Sequence, residues 1–114
     1  MAKAKKKNTL EKDIRKEICK YLEKEGYLFW RFEPTKYVPS IGMYIKSEFT
    51  PTGLPDIMVL VKGKFIGLET KRPSGGVKSG DQILMKKRFQ ALGAEYYFVR
   101  SVDNVKKALK GVID

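Results

Sequence analysis

Asp56, Glu69 and Lys71 stand in a stretch that otherwise reads as buried β-strand, GLPDIMVLVKGKFIGLETKR, residues 53–72. Charge at the ends of apolar strands is costly unless it is paired or coordinates a cation. If Val61-Lys62-Gly63-Lys64 closes a two-residue hairpin, Asp56 falls directly opposite Glu69. Opposed residues of an antiparallel pair hold their Cβ atoms about 4.5–5.5 Å apart. Two carboxylates at that distance repel unless a cation lies between them. Strand alternation puts Lys71 on the same face as Glu69. A slip of one residue would set Leu68 or Thr70 opposite Asp56 and lose the pairing. Two kinds of chemistry fit these residues. In one, Asp56 and Glu69 hold a hard divalent ion, with the backbone carbonyl of Thr70 as a further ligand. Such an ion polarises a phosphoryl oxygen and acidifies bound water, and Lys71 orients that water or offsets developing charge. In the other, Asp56 and Lys71 form a purely structural ion pair at a sheet edge.

Composition narrows the choice. The chain has 114 residues, no histidine and one cysteine, Cys19, which excludes zinc fingers, His-rich zinc sites and Cys–His nucleophiles. Any metal must be held mainly by oxygen, which points to Mg2+ or Mn2+. The net charge of +11 favours a polyanion, either nucleic acid or an anionic membrane surface. No run of about 18 apolar residues is available to span a bilayer. The start of the sequence lacks an apolar signal core, and with the single cysteine this leads us to expect a cytoplasmic protein.

These residues need a scaffold. Residues 1–8, MAKAKKKN, read as a disordered basic tail, and 9–114 as a single domain. A helix is expected from Thr9, capped by Thr9 or Asn8, with Leu10, Ile14, Ile18, Tyr21 and Leu22 on one apolar face and Gly26 past its end. Tyr27–Phe32 reads as a strand. Residues 33–55, rich in Pro and Gly, read as a long loop with a short strand at Met43-Tyr-Ile45. The strands Asp56–Val61 and Lys64–Lys71 follow, then a flexible basic loop over Arg72–Ser79. A helix runs from Ser79 to Ala91, opened by an S-x-x-Q capping box of Ser79 and Gln82 and stopped by Gly93. Glu95–Arg100 is a strand, and Ser101 caps a last helix over Val102–Lys110. The expected architecture is α/β, a small mixed β-sheet flanked by helices.

Pro55-Asp56 followed by Glu69-Thr70-Lys71 resembles the PD-(D/E)xK signature of the restriction-endonuclease-like superfamily. The wider pattern, EKDIRKEICKYLEKEGYLFWRF, GLPDIMVLVKGKFIGLETKRPSGG, SGDQ and LGAEYYFVRSVDNVKKAL, is similar to the small stand-alone VRR-NUC nucleases of phages and bacteria from about Glu11 to Leu109. The resemblance implies a restriction-endonuclease-like core, dependence on Mg2+ or Mn2+, and hydrolysis of DNA phosphodiester bonds. It also implies homodimers and a preference for branched DNA such as Holliday junctions. Carried over, it makes Asp56 and Glu69 the metal-binding acids, Lys71 the catalytic lysine and Gln82 the glutamine that opens the following helix. An acid on the first helix is also implied, matched by Glu11 with Glu17 as competitor. Thr70 departs from the family, which usually has an apolar residue there.

Arg72, Lys78, Lys86 and Lys87 are expected to contact DNA phosphates, with Arg88 beside them and Arg31, Lys36 and Lys46 adding to the rim. Phe29, Trp30 and Phe32, at strand spacing, read as core. The apolar residues of the 33–55 loop, Tyr37, Val38, Ile41, Met43, Tyr44, Ile45 and Phe49, are expected to form a dimer contact. A basic binding module without catalysis is the main alternative, and a basic phage assembly protein another. Neither gives a reason for opposed acids on an apolar hairpin.

Overall fold

A computed structural model describes residues 2–33, 35–73 and 78–113, of which 2–10 by their backbone alone. Helix α1 spans Ala2–Lys24 and β1 spans Leu28–Arg31. The strands β2 (Thr35–Val38), β3 (Met43–Lys46), β4 (Ile57–Val61) and β5 (Lys64–Thr70) follow. Helix α2 (Gly80–Ala91), strand β6 (Glu95–Val99) and helix α3 (Val102–Ile113) complete the chain.

Four strands form one sheet in the order β1-β4-β5-β6. The β1–β4 and β4–β5 pairs are antiparallel, and α2 is the crossover that makes β5 and β6 parallel. Period-2 alternation sends Ile57, Val59, Val61, Ile66, Leu68 and Val99 to one face. There they meet Ile14, Ile18 and Leu22 of α1, four residues apart, and Val105 and Leu109 of α3, also four apart. The opposite face takes α2 only over β5 and β6. Phe89 of α2 meets Tyr96 edge-on with ring centroids 5.3 Å apart, and Met85 is buried there.

Several expectations need correction. Helix α1 begins at Ala2, so the segment read as a disordered tail is helical from Ala2 onward and neither Asn8 nor Thr9 caps it. No Gly or Pro interrupts Ala2–Lys24, and Ala and Lys are good helix formers. The 33–55 segment is not one long loop. It contains the antiparallel ribbon β2–β3, of which only the second strand was legible. A four-residue strand closed by Pro39 leaves too short an alternating pattern to detect. Trp30 is not core: it stays 41% exposed, because β1 is an edge strand and α2 does not reach it. Helix α3 runs on past Lys110 and Gly111, since Val112 and Ile113 pack against the core. The loop expected over Arg72–Ser79 lies outside the described residues at 74–77.

Candidate active site

The β4–β5 turn sets the site's register. Lys62 and Gly63 have φ of 50° and 80°, the pair of positive values that a two-residue type I′ turn requires. The ladder then runs Val61↔Lys64 to Ile57↔Leu68, and its next step outward faces Asp56 with Glu69. Asp56 has left regular strand geometry at this point. Its backbone carbonyl accepts from Phe32 N–H at 2.8 Å, and its Oδ2 accepts from Thr70 N–H at 3.0 Å. The carboxylate thus replaces a ladder acceptor and is anchored to the strand that carries Glu69.

Glu69 is 5% exposed. Burial pushes its carboxyl up from 4.5 to about 7, and the Asp56 charge pushes the same way. Lys71 and a hydrogen bond from Gln82 oppose the rise, and Glu11 adds to it. The Lys71 ammonium lies 3.8 Å from Glu69 Oε2. Gln82 Nε2 donates to the same oxygen at 2.7 Å. The capping box expected at Ser79 and Gln82 is present. Ser79 Oγ accepts from Gln82 N–H at 3.1 Å, and Gln82 Oε1 accepts from Ser79 N–H at 3.3 Å. Capping and contact with the acid are therefore two ends of one amide.

The start of α2 is seated by the segment that delivers Asp56. Gly53 has φ of 85°, and a Cβ there would stand 2.3 Å from Asp81 O, so only glycine lets the chain pass this close to α2. Tyr96 Oη donates to Gly53 O at 2.9 Å. Gly67 makes room on β5 for Pro55, whose Cγ a side chain there would meet at 2.5 Å. The result is an open cleft of about 380 Å3, in which Asp56, Glu69, Gln82 and Asp81 face Phe32, Thr35, Lys46 and the 51–54 segment.

The other candidates separate. Lys71 is 7% exposed and reaches the cleft through Glu69. The Thr70 side chain points to the core face, fully buried, with a hydroxyl that has no partner among the described residues; only its backbone belongs to the site. Glu11 is close enough to act on Glu69, whereas Glu17 is exposed and is not among the charges that shift it. No group of three or more His, Cys, Asp or Glu gathers at metal-binding spacing among the described residues, so the acidic set is the pair Asp56 and Glu69. A pair fits Mg2+ or Mn2+, since Mg2+ keeps several waters and commonly takes one or two carboxylates. The mutual repulsion that raises Glu69 is what a cation between the two acids would relieve.

Among the basic candidates, Lys78 and Lys86 both sit over the Phe98 ring, at 4.8 and 5.5 Å from its centroid. Phe98 is the neighbour of Glu69 on β6, so the ring that both cations cover adjoins the strand position that carries Glu69. Arg72 is exposed, and its carbonyl accepts from the Arg100 guanidinium. Lys87 is exposed on α2, and Lys46 lines the cleft. Sequence reasoning missed a second basic group. Lys12, Arg15 and Lys16 of α1 join Arg31 around a hollow of about 200 Å3 beside Cys19. Their spacing of three and four residues, one helical face, was the available signal. Phe29 packs on the core as expected, and Phe32 lines the cleft.

Scanned against protein-family models, the chain matches none, and a search of curated proteins finds no relative. No helix among the described residues is long and apolar enough to cross a membrane.

Proposed function

We propose that this chain is a divalent-metal-dependent DNA endonuclease with a restriction-endonuclease-like core, acting on branched DNA. The observation that carries the reading is the opposition of Asp56 and Glu69 in the lining of an open cleft, with Lys71 on the same face and Gln82 fixing the Glu69 carboxylate. The similarity of its sequence to the VRR-NUC nucleases points the same way. Phosphodiester hydrolysis adds a water oxygen to phosphorus, breaks one P–O ester bond and returns a proton to the leaving oxygen. Asp56 and Glu69 would hold Mg2+ or Mn2+, which supplies Lewis acidity toward a phosphoryl oxygen and acidifies water. Thr70 N–H keeps Asp56 oriented, and Gln82 keeps Glu69 from rotating away. The Lys71 ammonium favours the ionised form of Glu69 and offsets negative charge gathering at the phosphoryl group. Lys46 and the basic residues of α1 and α2 hold the phosphate backbone without reading sequence. A homodimer would set two such sites in fixed relation, as paired cuts in a four-way junction require.

The test is cleavage of synthetic branched and linear DNA in Mg2+ or Mn2+ against chelator, with Asp56→Asn beside the wild type. The asparagine can still accept from Thr70 N–H, so the fold and DNA binding should persist while cutting is lost. Undiminished cutting by Asp56→Asn, or binding without any cutting by the wild type, would replace this reading with the non-catalytic binding module.

A further inference from the structure

The ribbon β2–β3 pairs chiefly with itself, forming a two-stranded sheet apart from the main one. Its register opposes Thr35 to Lys46 and Tyr37 to Tyr44. Opposed residues, and residues two apart along a strand, share a face. Thr35, Tyr37, Tyr44 and Lys46 therefore form one face, and Lys36, Val38, Met43 and Ile45 the other. Thr35 and Lys46 line the cleft that holds Asp56 and Glu69. The tyrosine face is thus the outward continuation of the cleft wall, about 7 Å further along the ribbon. The two rings meet edge-on, with centroids 5.2 Å apart and planes 64° apart. They remain 52% and 69% exposed.

We infer that Tyr37 and Tyr44 form a stacking platform for unpaired nucleobases next to the strand held in the cleft. The inference rests on the reading of that cleft as a nucleic-acid site, and it deepens it by naming the substrate feature recognised. The occupant is a polynucleotide because the platform is continuous with the cleft, shares its face with the Lys46 ammonium, and belongs to a chain of net charge +11. Aromatic side chains beside a basic groove hold bases of any sequence by their π-faces. A fully paired duplex keeps its bases within its own stack and offers the tyrosines nothing. A gap, flap or branch point beside the scissile bond does offer them. The platform therefore selects for DNA structure without selecting for sequence.

The experiment is an anisotropy titration in chelator, which reads binding without cleavage. Its probes are a labelled gapped duplex and a fully paired duplex of the same length. The wild type should bind the gapped form at least about tenfold more tightly, in line with one stacked base. Tyr37→Leu with Tyr44→Leu keeps apolar, strand-compatible side chains but removes the rings. It should bind both probes alike, whereas Tyr37→Phe with Tyr44→Phe should keep the preference. Tyr44→Leu alone is a milder change that should lose part of it, and circular dichroism checks that each variant is folded. No preference in the wild type, or full preference in the leucine pair, overturns the inference. A change of oligomeric state in the leucine pair, seen by light scattering, would also overturn it and give this face to a second copy of the chain. Tight binding to gapped DNA without any cutting would remove the nuclease reading and leave the platform standing. Cutting of paired duplex without preference would do the reverse.

Discussion

Gln82 spans two structures with one amide. Its Oε1 accepts from Ser79 N–H at 3.3 Å and closes the capping box, while its Nε2 donates to Glu69 Oε2 at 2.7 Å. The cap fixes which way the amide faces, so the helix start orients the donor that holds the acid. Ser79→Ala removes the hydroxyl half of the box and should cost about 1 kcal/mol of stability, with cleavage little changed. Gln82→Ala should cost a similar amount and lower cleavage as well. Denaturant unfolding and a cleavage assay on both variants check this. Equal loss of cleavage in the two would mean that Gln82 acts only through the helix.

Lys71→Ala should lower turnover about 100-fold or more, the scale of losing one preorganised charge at a transition state, while DNA affinity stays near that of the wild type. Single-turnover rates at saturating enzyme, compared with binding in chelator, separate the two quantities. A fall in affinity with unchanged turnover would make Lys71 a phosphate contact instead.

The carboxyl of Glu69 is raised from 4.5 to about 7 by burial first and the Asp56 charge second. Between those values the folded chain keeps a proton that the unfolded chain has released, so metal-free stability should fall as pH rises through this window. The drop is on the order of 3 kcal/mol across the window. Denaturant midpoints in chelator from pH 4 to 8 measure it. Glu69→Gln should remove this component, and Mg2+ or Mn2+ should restore stability near neutral pH. A slope that persists unchanged in Glu69→Gln would place its origin elsewhere.

Thr70 carries a fully buried hydroxyl with no partner among the described residues. Its isostere without that group should be more stable, so Thr70→Val is expected to gain about 1 kcal/mol. Because the side chain faces the core and only the backbone faces the site, cleavage should be unchanged. Equilibrium unfolding is the measurement, and a loss of stability would show that the hydroxyl is hydrogen-bonded in solution.

The hairpin from Asp56 to Lys71 was legible in the sequence because its causes are local. A two-residue turn with a glycine at its second position and a period of two along each strand fix which residues oppose each other. Asp56 could therefore be set against Glu69 from the sequence once the turn was placed at Lys62-Gly63, and the positive φ of both turn residues and the ladder settle that register against a one-residue slip. The capping box at Ser79 is local for the same reason. The ribbon β2–β3 was only half legible, since four residues per strand and an adjoining Pro39 hide the alternation.

What the chain does with those local pieces needed the tertiary structure. The resemblance left Glu11 and Glu17 as competing acids on the first helix, and the docking of α1 puts Glu11, not Glu17, among the charges that act on Glu69. The Gln82 amide could be read as a cap or as a site donor. It is both, because the close pass of Gly53 under Asp81 sets α2 against β5 at the distance its side chain can bridge. Lys78 and Lys86 read as free phosphate contacts, and their placement over Phe98 follows from the neighbour that the parallel crossover gives Glu69. Turn chemistry and periodicity act over a few residues and can be read along the chain. The distance between a helix terminus and a strand end depends on how side-chain volumes from distant segments fill the space between them, and that is decided only when the core packs.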